Sequence, residues 1–262
     1  MNILVLLKIV SQAQFADTLE DRGGRLDAGQ LVVNPADLYA LELALRVKDA
    51  APGTAVTVLT MAPPSCQQEL RQALGMGADR AVLLADRRLA GSDTLATAKA
   101  LAAAIRTLPA QDLILCGRKA IDSETGHIGP QLSQLLGYTA ATNVVDFTLS
   151  DENIRIHCLR DRALSEYEGS LPALLTVCTG TNMVRKPTIL GLRRSKRAEV
   201  LQLSLEDLDL PTAEAGIGGS LTRVAGVASA EFRRGRGERT DDPECGISRL
   251  AEALEEWGHG HA

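Results

Sequence analysis

Aromatic residues supply only 3% of this chain, so rings cannot fill much of a core and Ala, Leu and Val must do so. No GxGxxG follows the first apolar segment, which excludes an ordinary Rossmann dinucleotide site. GxxxxGK[ST] is missing too, and with it the P-loop, as are GxSxG and HExxH. The five cysteines are odd in number and widely scattered. No pair has CxxC spacing, so zinc or dithiol chemistry has no footing and reduced structural thiols are expected. No apolar run approaches the roughly 20 residues that cross a bilayer. Met1-Asn2 leads straight into Ile3 to Leu7, without a basic stretch or a small-residue cleavage site. No signal peptide is therefore expected, and the expected location is cytoplasmic. A net charge of −5 gives no general reason to expect nucleic acid or membrane binding.

What is present suits a globular protein of 262 residues, 45% hydrophobic and 23% charged. Asn2 to Leu7 reads as a buried strand, and a polar, Gly-containing stretch follows from Ser11 to Gln30. Asn34 can cap a helix over Pro35 to Asp49, with Pro35 suited to its first turn. Pro52-Gly53 breaks the pattern before the strand Ala55 to Thr60. Then come a loop from Met61, a helix over Cys66 to Gly75, a strand over Arg80 to Ala85 and a helix over Asp93 to Leu108. The strand Asp112 to Cys116 leads through a long polar loop, Gly117 to Gly129, into a helix over Pro130 to Leu136.

Four rounds of strand and helix predict an α/β fold, a doubly wound, mostly parallel sheet with helices on both faces. Right-handed crossovers gather the strand-to-helix loops along one edge, where such sheets bind ligands. After Tyr138 the rhythm changes. Val144 to Leu149 and Ile154 to Leu159 read as paired strands with a turn at Ser150 to Asn153, and Leu171 to Cys178 as another strand. Residues 1–180 are read as the nucleotide-binding α/β domain and 181–262 as an extended C-terminal arm that packs on a partner. Within the arm, Gly216 to Gly219 and Arg233 to Arg239 read as loops and Arg249 to Trp257 as a short terminal helix.

Three places on the ligand edge have suitable chemistry. Asp93-Thr94 opens a helix with Thr97 one turn on, so free N–H groups and hydroxyls are offered to a phosphate; Asp93 read alone is equally an N-cap. The segment Gly117-Arg118-Lys119-Ala120-Ile121-Asp122-Ser123-Glu124-Thr125-Gly126-His127-Ile128 offers glycine for backbone approach, hydroxyls and a basic pair for a diphosphate. It is longer than a plain connection, commonly ~2–6 residues. His127 has no matching acid or nucleophile at recognisable spacing, so it is not assigned a catalytic role. Met61 lies where a base or sugar rests in a doubly wound fold. The basic run Arg185 to Arg197 lacks interleaved aromatics and sits in an acidic chain, so a solvated or partner-facing role is expected rather than nucleic acid.

Several stretches together resemble the electron-transfer flavoprotein β-subunit family, on its bifurcating and nitrogen-fixation-associated side. They are Asn34 to Glu42 (NPADLYALE), Thr57 to Pro64 (TVLTMAPP), Leu74 to Ala81 (LGMGADRA), Asp86-Arg87 with Ala90 to Thr97 (AGSDTLAT), and Asp112 to Asp122 (DLILCGRKAID). A looser Gly219 to Thr222 (GSLT) follows near the end. The resemblance implies a heterodimer with an FAD-bearing α subunit, this chain holding AMP or, in the bifurcating branch, a second FAD; FAD is favoured by GSDTLAT. It implies nucleotide contacts at Leu6, Lys8, Asn34, Pro35, Ala36, Asp37 and Met61, at Asp93, Thr94 and Thr97, and along Gly117 to Ile128. It further implies electron transfer between NADH or dehydrogenases and acceptors such as a quinone reductase, ferredoxin or flavodoxin. The basic segment resembles the family's recognition loop, with Ile189 or Leu190 as an apolar anchor and Arg193, Arg194, Lys196 and Arg197 steering acidic partners. Two stretches depart from the family's pattern. Lys8-Ile9-Val10-Ser11-Gln12 stands where Lys-Gln-Val-Pro-Asp is usual, and Ser123 to His127 (SETGH) where Gly-Asp-Thr-Ala-Gln is usual. From another class, a universal-stress-type nucleotide sensor predicts a homodimer without a flavin-bearing partner.

Overall fold

The computed structural model describes residues 1–11, 31–150, 153–161, 163–225 and 240–259. Most of the expected polar stretch, the middle of the turn at Ser150 to Asn153 and Arg233 to Arg239 lie outside the described residues. By contacts the chain forms two compact units, Met1–Arg223 and Val224–Ala262.

The first strand, β1 (Asn2–Leu6), is buried on both faces, and its side chains divide by parity. Ile3 and Val5 enter one apolar layer with Leu41 and Leu45 of α1 (Pro35–Ala50) and Leu70 and Ala73 of α2 (Gln67–Met76). Leu4 and Leu6 enter a second layer with Ala98, Leu101, Ala102 and Ile105 of α3 (Thr94–Arg106) and Leu132 of α4 (Ile128–Leu136). Successive residues of a strand face opposite sides, so this parity puts helices on both faces, as the doubly wound pattern predicts. The alanine-rich α3 replaces the missing rings: small side chains let it lie close on the sheet.

Around β1 run β4 (Ala55–Met61), β5 (Arg80–Leu84) and β6 (Leu113–Gly117). Then follow β7 (Thr139–Ser150), β8 (Asn153–Arg160), β9 (Ala163–Ser170), β10 (Ala173–Val177) and β11 (Val200–Leu203). Among the described residues the nine-stranded sheet has the order β11-β5-β4-β1-β6-β10-β7-β8-β9. It is parallel from β11 to β7 and antiparallel over β7-β8-β9. The order reverses at β1: the chain moves to β4 on one side and later returns to β6 on the other. The crevice at the carboxyl ends of β1 and β6 is thus the switch point, where doubly wound sheets take ligands.

Several features differ from the sequence reading. Ile9–Ser11 and Leu31–Val33 form a small antiparallel ribbon, β2-β3, at the edges of the polar stretch. With only three residues per strand, no alternation was there to be read. The ribbon returns the chain to β1, so Asn34 N–H donates to the Lys8 carbonyl at 2.8 Å. Strand β9 gives no apolar alternation in the sequence, because SEYEGS is polar and mostly exposed. β10 lies between β6 and β7, deep in the sheet. The first compact unit also extends past the expected division at 180. β11 pairs with β5 from Val200↔Ala81 to Leu203↔Leu84, and residues up to Arg223 belong with it. Gly216–Gly219, read as a loop, forms a one-turn helix, α6. In the second unit, α7 (Pro243–His259) is longer than the expected Arg249 to Trp257, starting at a proline after Asp242 Oδ1 accepts the Glu244 N–H at 3.0 Å.

Candidate functional site

Asn34 occupies the N-cap of α1, and its carbonyl accepts the Asp37 N–H at 3.0 Å. Its side chain makes no cap bond, contrary to the expected capping role. The amide instead crosses to the long loop, where Oδ1 accepts the Ile121 N–H and Nδ2 donates to the Lys119 carbonyl, both at 3.2 Å. One turn into the helix, Asp37 is 5% exposed. It accepts the Lys8 N–H at 2.7 Å and the Gly117 N–H at 2.8 Å. Gly117 is required there, because a Cβ would stand 2.5 Å from Asp37 Oδ1 and 2.6 Å from Ala36 Cβ. Burial pushes the Asp37 carboxyl up to about 6, against the lowering pull of the Lys8 and Gly117 N–H groups and of Asn34.

The loop from Gly117 to His127 is pinned from several sides. Arg118 N–H donates to the Val177 carbonyl at 2.8 Å. The Lys8 ammonium reaches the Asp122 carboxylate at 2.7 Å. Lys119 pairs with Glu124 at 2.8 Å, and Glu124 itself sits in the left-handed region at φ 51°. Ser123, Glu124, Thr125 and His127 are exposed, whereas Ala120 and Ile121 are half-buried. Cys116, one residue before Gly117, is buried; burial, then the charge of Asp37, pushes its thiol well up, so it is no nucleophile.

On the other face of the sheet the N-termini of α3 and α4 meet. Thr94 Oγ1 lies 3.4 Å from His127 Nδ1, and Gln131 Nε2 donates to the same hydroxyl at 3.4 Å. The Gln131 Oε1 atom is buried with no hydrogen-bond partner among the described residues. Two positive helix ends, a hydroxyl, an imidazole and an unsatisfied carbonyl oxygen suit a phosphorylated, hydroxyl-bearing ligand. Leu6 and Met61, at the ends of β1 and β4, line the same apolar layer.

Asp93 is an N-cap, its side chain accepting the Ala96 N–H at 2.9 Å. It is also a latch: its other oxygen accepts the N–H and hydroxyl of Thr222, both at 3.0 Å, while Asp93 N–H donates to Ser220 Oγ at 2.8 Å. These hydrogen bonds hold its carboxyl below the usual range. Thr97 follows within α3, its N–H on the Asp93 carbonyl at 2.9 Å. The structure thus gathers Leu6, Lys8, Asn34 to Asp37, Met61, Asp93, Thr94, Thr97 and Gly117 to Ile128 along one edge. Ser220 and Thr222, from the GSLT stretch, join them through Asp93, and Gln131 joins them without a local sequence signal for its role.

The basic segment forms α5 (Ile189–Ser195). Arg71 on α2 donates to the carbonyls of Ser195 and Ala198, at 2.5 and 2.8 Å, and a Cβ at Gly191 would strike the Gly75 carbonyl oxygen. This docking leaves Ile189 and Leu190 79% and 65% exposed, with Arg193, Arg194, Lys196 and Arg197 also exposed. Behind it, Arg185 forks onto buried Glu42 at 2.8 and 2.9 Å.

Sheet order and site geometry define a doubly wound α/β protein with its polar loops at the switch point. The electron transfer flavoprotein domain model matches residues 26–208, and the chain belongs to the electron transfer flavoprotein family. It is 38% identical over 210 residues to electron transfer flavoprotein subunit beta of Megasphaera elsdenii, 78% of each chain. It is 38% identical over 229 residues to Protein FixA of Azotobacter vinelandii, 85% of this chain and 81% of that one. To caffeyl-CoA reductase-Etf complex subunit CarD of Acetobacterium woodii it is 36% identical over 225 residues, 86% of each. No helix among the described residues is long and apolar enough to cross a membrane.

Proposed function

We propose that this chain is the β subunit of a heterodimeric electron-transfer flavoprotein and binds an adenine nucleotide, FAD in preference to AMP, at the switch-point edge. The observation that carries this is the meeting of the α3 and α4 N-termini at Thr94, His127 and Gln131, beside the loop from Gly117 to Ile128. Here the chain supplies N–H groups and a hydroxyl for phosphate, while Leu6 and Met61 offer an apolar wall. A flavin, when bound, supplies the electron-accepting ring. Asn34, Asp37 and Lys8 set the loop in place, and Asp93 holds the Ser220–Thr222 segment over the end of α3.

On this reading an FAD-bearing α subunit is the partner, and it packs on the exposed residues of the segment from 181 onward. Electrons pass between NADH or a dehydrogenase and an acceptor, with division between a quinone reductase and ferredoxin or flavodoxin as the bifurcating form. Exposed Ile189 and Leu190, ringed by arginines, suit docking on an acidic dehydrogenase surface. The name of the Acetobacterium woodii relative, which places it in a complex with a reductase, supports such a partner. One observation favours AMP as a second reading: Lys8 and Lys119 are already spent on Asp122 and Glu124, which leaves less charge for a diphosphate.

The test is nucleotide extraction from the heterodimer purified with its α subunit. Two FAD per heterodimer is the expected result. One FAD with one AMP rejects the FAD reading for this site, and a stable homodimer without flavin rejects the family role.

A further inference from the structure

The ladder between β1 and β6 pairs Ile3, Leu4 and Val5 with Leu113, Ile114 and Leu115, and stops there. Beyond Val5↔Leu115 no further pairing joins the two strands among the described residues. Asp37 bridges this gap: one carboxylate oxygen takes the Lys8 N–H, just past β1, and the other takes the Gly117 N–H, the last residue of β6. Both oxygens are spent on the backbone and the residue is nearly enclosed, so no face is left for a ligand. The absence of a side chain at Gly117 is what lets the carboxylate reach that strand.

We infer that Asp37 is a positioning residue of the nucleotide site: its ionised carboxylate sets the separation of the β1 and β6 ends, and with it the loop Gly117 to Ile128, without touching the nucleotide. This rests on the proposed nucleotide function. The groups facing it are the Lys8 ammonium, paired with Asp122, the Cys116 thiol on β6 and the Asn34 amide; the Lys119–Glu124 pair lies farther along the loop. Protonation turns one oxygen into a hydroxyl, a poorer acceptor for the N–H it faces, so one of the two bridges is weakened. Since burial lifts the carboxyl to about 6, that change falls within an accessible pH range. An asparagine at the same position presents its NH2 to an N–H and loses the same bridge at every pH.

The experiment strips the co-purified heterodimer of nucleotide and titrates it with FAD, and separately with AMP, from pH 5 to 8. Wild-type affinity for the nucleotide it accepts is expected to fall roughly tenfold between pH 7.5 and 5, the size of one hydrogen bond. Asp37→Asn is expected to bind about tenfold weaker at pH 7.5 and to converge on wild type near pH 5. Parallel curves, or equal affinity at pH 7.5, overturn the inference. Wild type that binds neither FAD nor AMP overturns the proposed function, and this inference with it. Should Asp37→Asn not fold, amide exchange on wild type decides the matter. Protection at Lys8 and Gly117, corrected for intrinsic rate, is expected to drop as pH falls through about 6 while Val5 and Leu115 hold. Unchanged protection at Lys8 and Gly117 overturns it.

Discussion

Asn34 caps α1 with its backbone but spends its side chain on another element, clasping the Lys119 carbonyl and Ile121 N–H from both ends of one amide. The helix therefore does not depend on this side chain, while the loop does. Asn34→Ala is expected to cost about 1–2 kcal/mol, from two lost hydrogen bonds at a buried position. Nucleotide retention should fall with it, while far-ultraviolet circular dichroism stays unchanged. Loss of helical signal would show that the amide serves the helix after all.

Thr94→Val keeps volume and removes the hydroxyl at the meeting of two helix ends. Its effect is predicted on the ligand: nucleotide retention through gel filtration drops several-fold, and the melting temperature moves little. Retention equal to wild type would place the phosphate elsewhere.

Asp37 carries a stability signature with a definite sign. Its carboxyl is raised from 3.8 to about 6 on folding, so the folded state holds the proton more tightly. The associated stability is fully present below about pH 4 and lost as pH rises through about 6, on the order of 3 kcal/mol for a buried group. Denaturation of nucleotide-free wild type, referenced to Asp37→Asn, should show the difference declining over that window. Under the proposed positioning role, affinity for nucleotide is expected to run the other way, with site order held at some expense in folding free energy.

Asp93→Ala removes a cap and a latch together. About 1–2 kcal/mol is expected from the cap alone. Limited proteolysis should then cut near Arg223, because the carboxylate no longer accepts the Thr222 N–H and hydroxyl, and only the backbone bond from residue 93 to Ser220 remains.

Ile189→Ser tests the docking surface. With the side chain exposed, folding is expected to be unaffected and reduction by the partner dehydrogenase to slow. An unchanged rate would move docking off α5.

The sheet was legible because its strands are aliphatic runs with helices between them, and aromatic poverty pointed the same way. Stretches that failed lacked the signal on which such reading depends. β9 is polar on both faces, β11 is four residues at an edge behind a basic run, and the β2-β3 ribbon is too short for alternation. At the site, Asp93-Thr94 and Gly117 to Ile128 could be found as a helix start and an overlong loop. The long-range bonds could not. Asn34 reaches Lys119 and Ile121, Asp37 reaches Gly117, and Thr222 reaches Asp93 only through tertiary folding. The Asn34 cap was misjudged for this reason: residue type gave the position, and a distant loop took the side chain.

The place of β10 between β6 and β7 bears on how the chain assembles as it leaves the ribosome. Until residues 173–177 emerge, β6 has a bare edge toward β7, and the Arg118 N–H has no Val177 carbonyl to meet. The nascent first half can align β1, β4, β5 and β6, but the loop Gly117 to Ile128 stays untethered on one side. A ribosome-stalled fragment ending near residue 150 should then be a substrate for holdase chaperones, and one extended past residue 203 should be released from them.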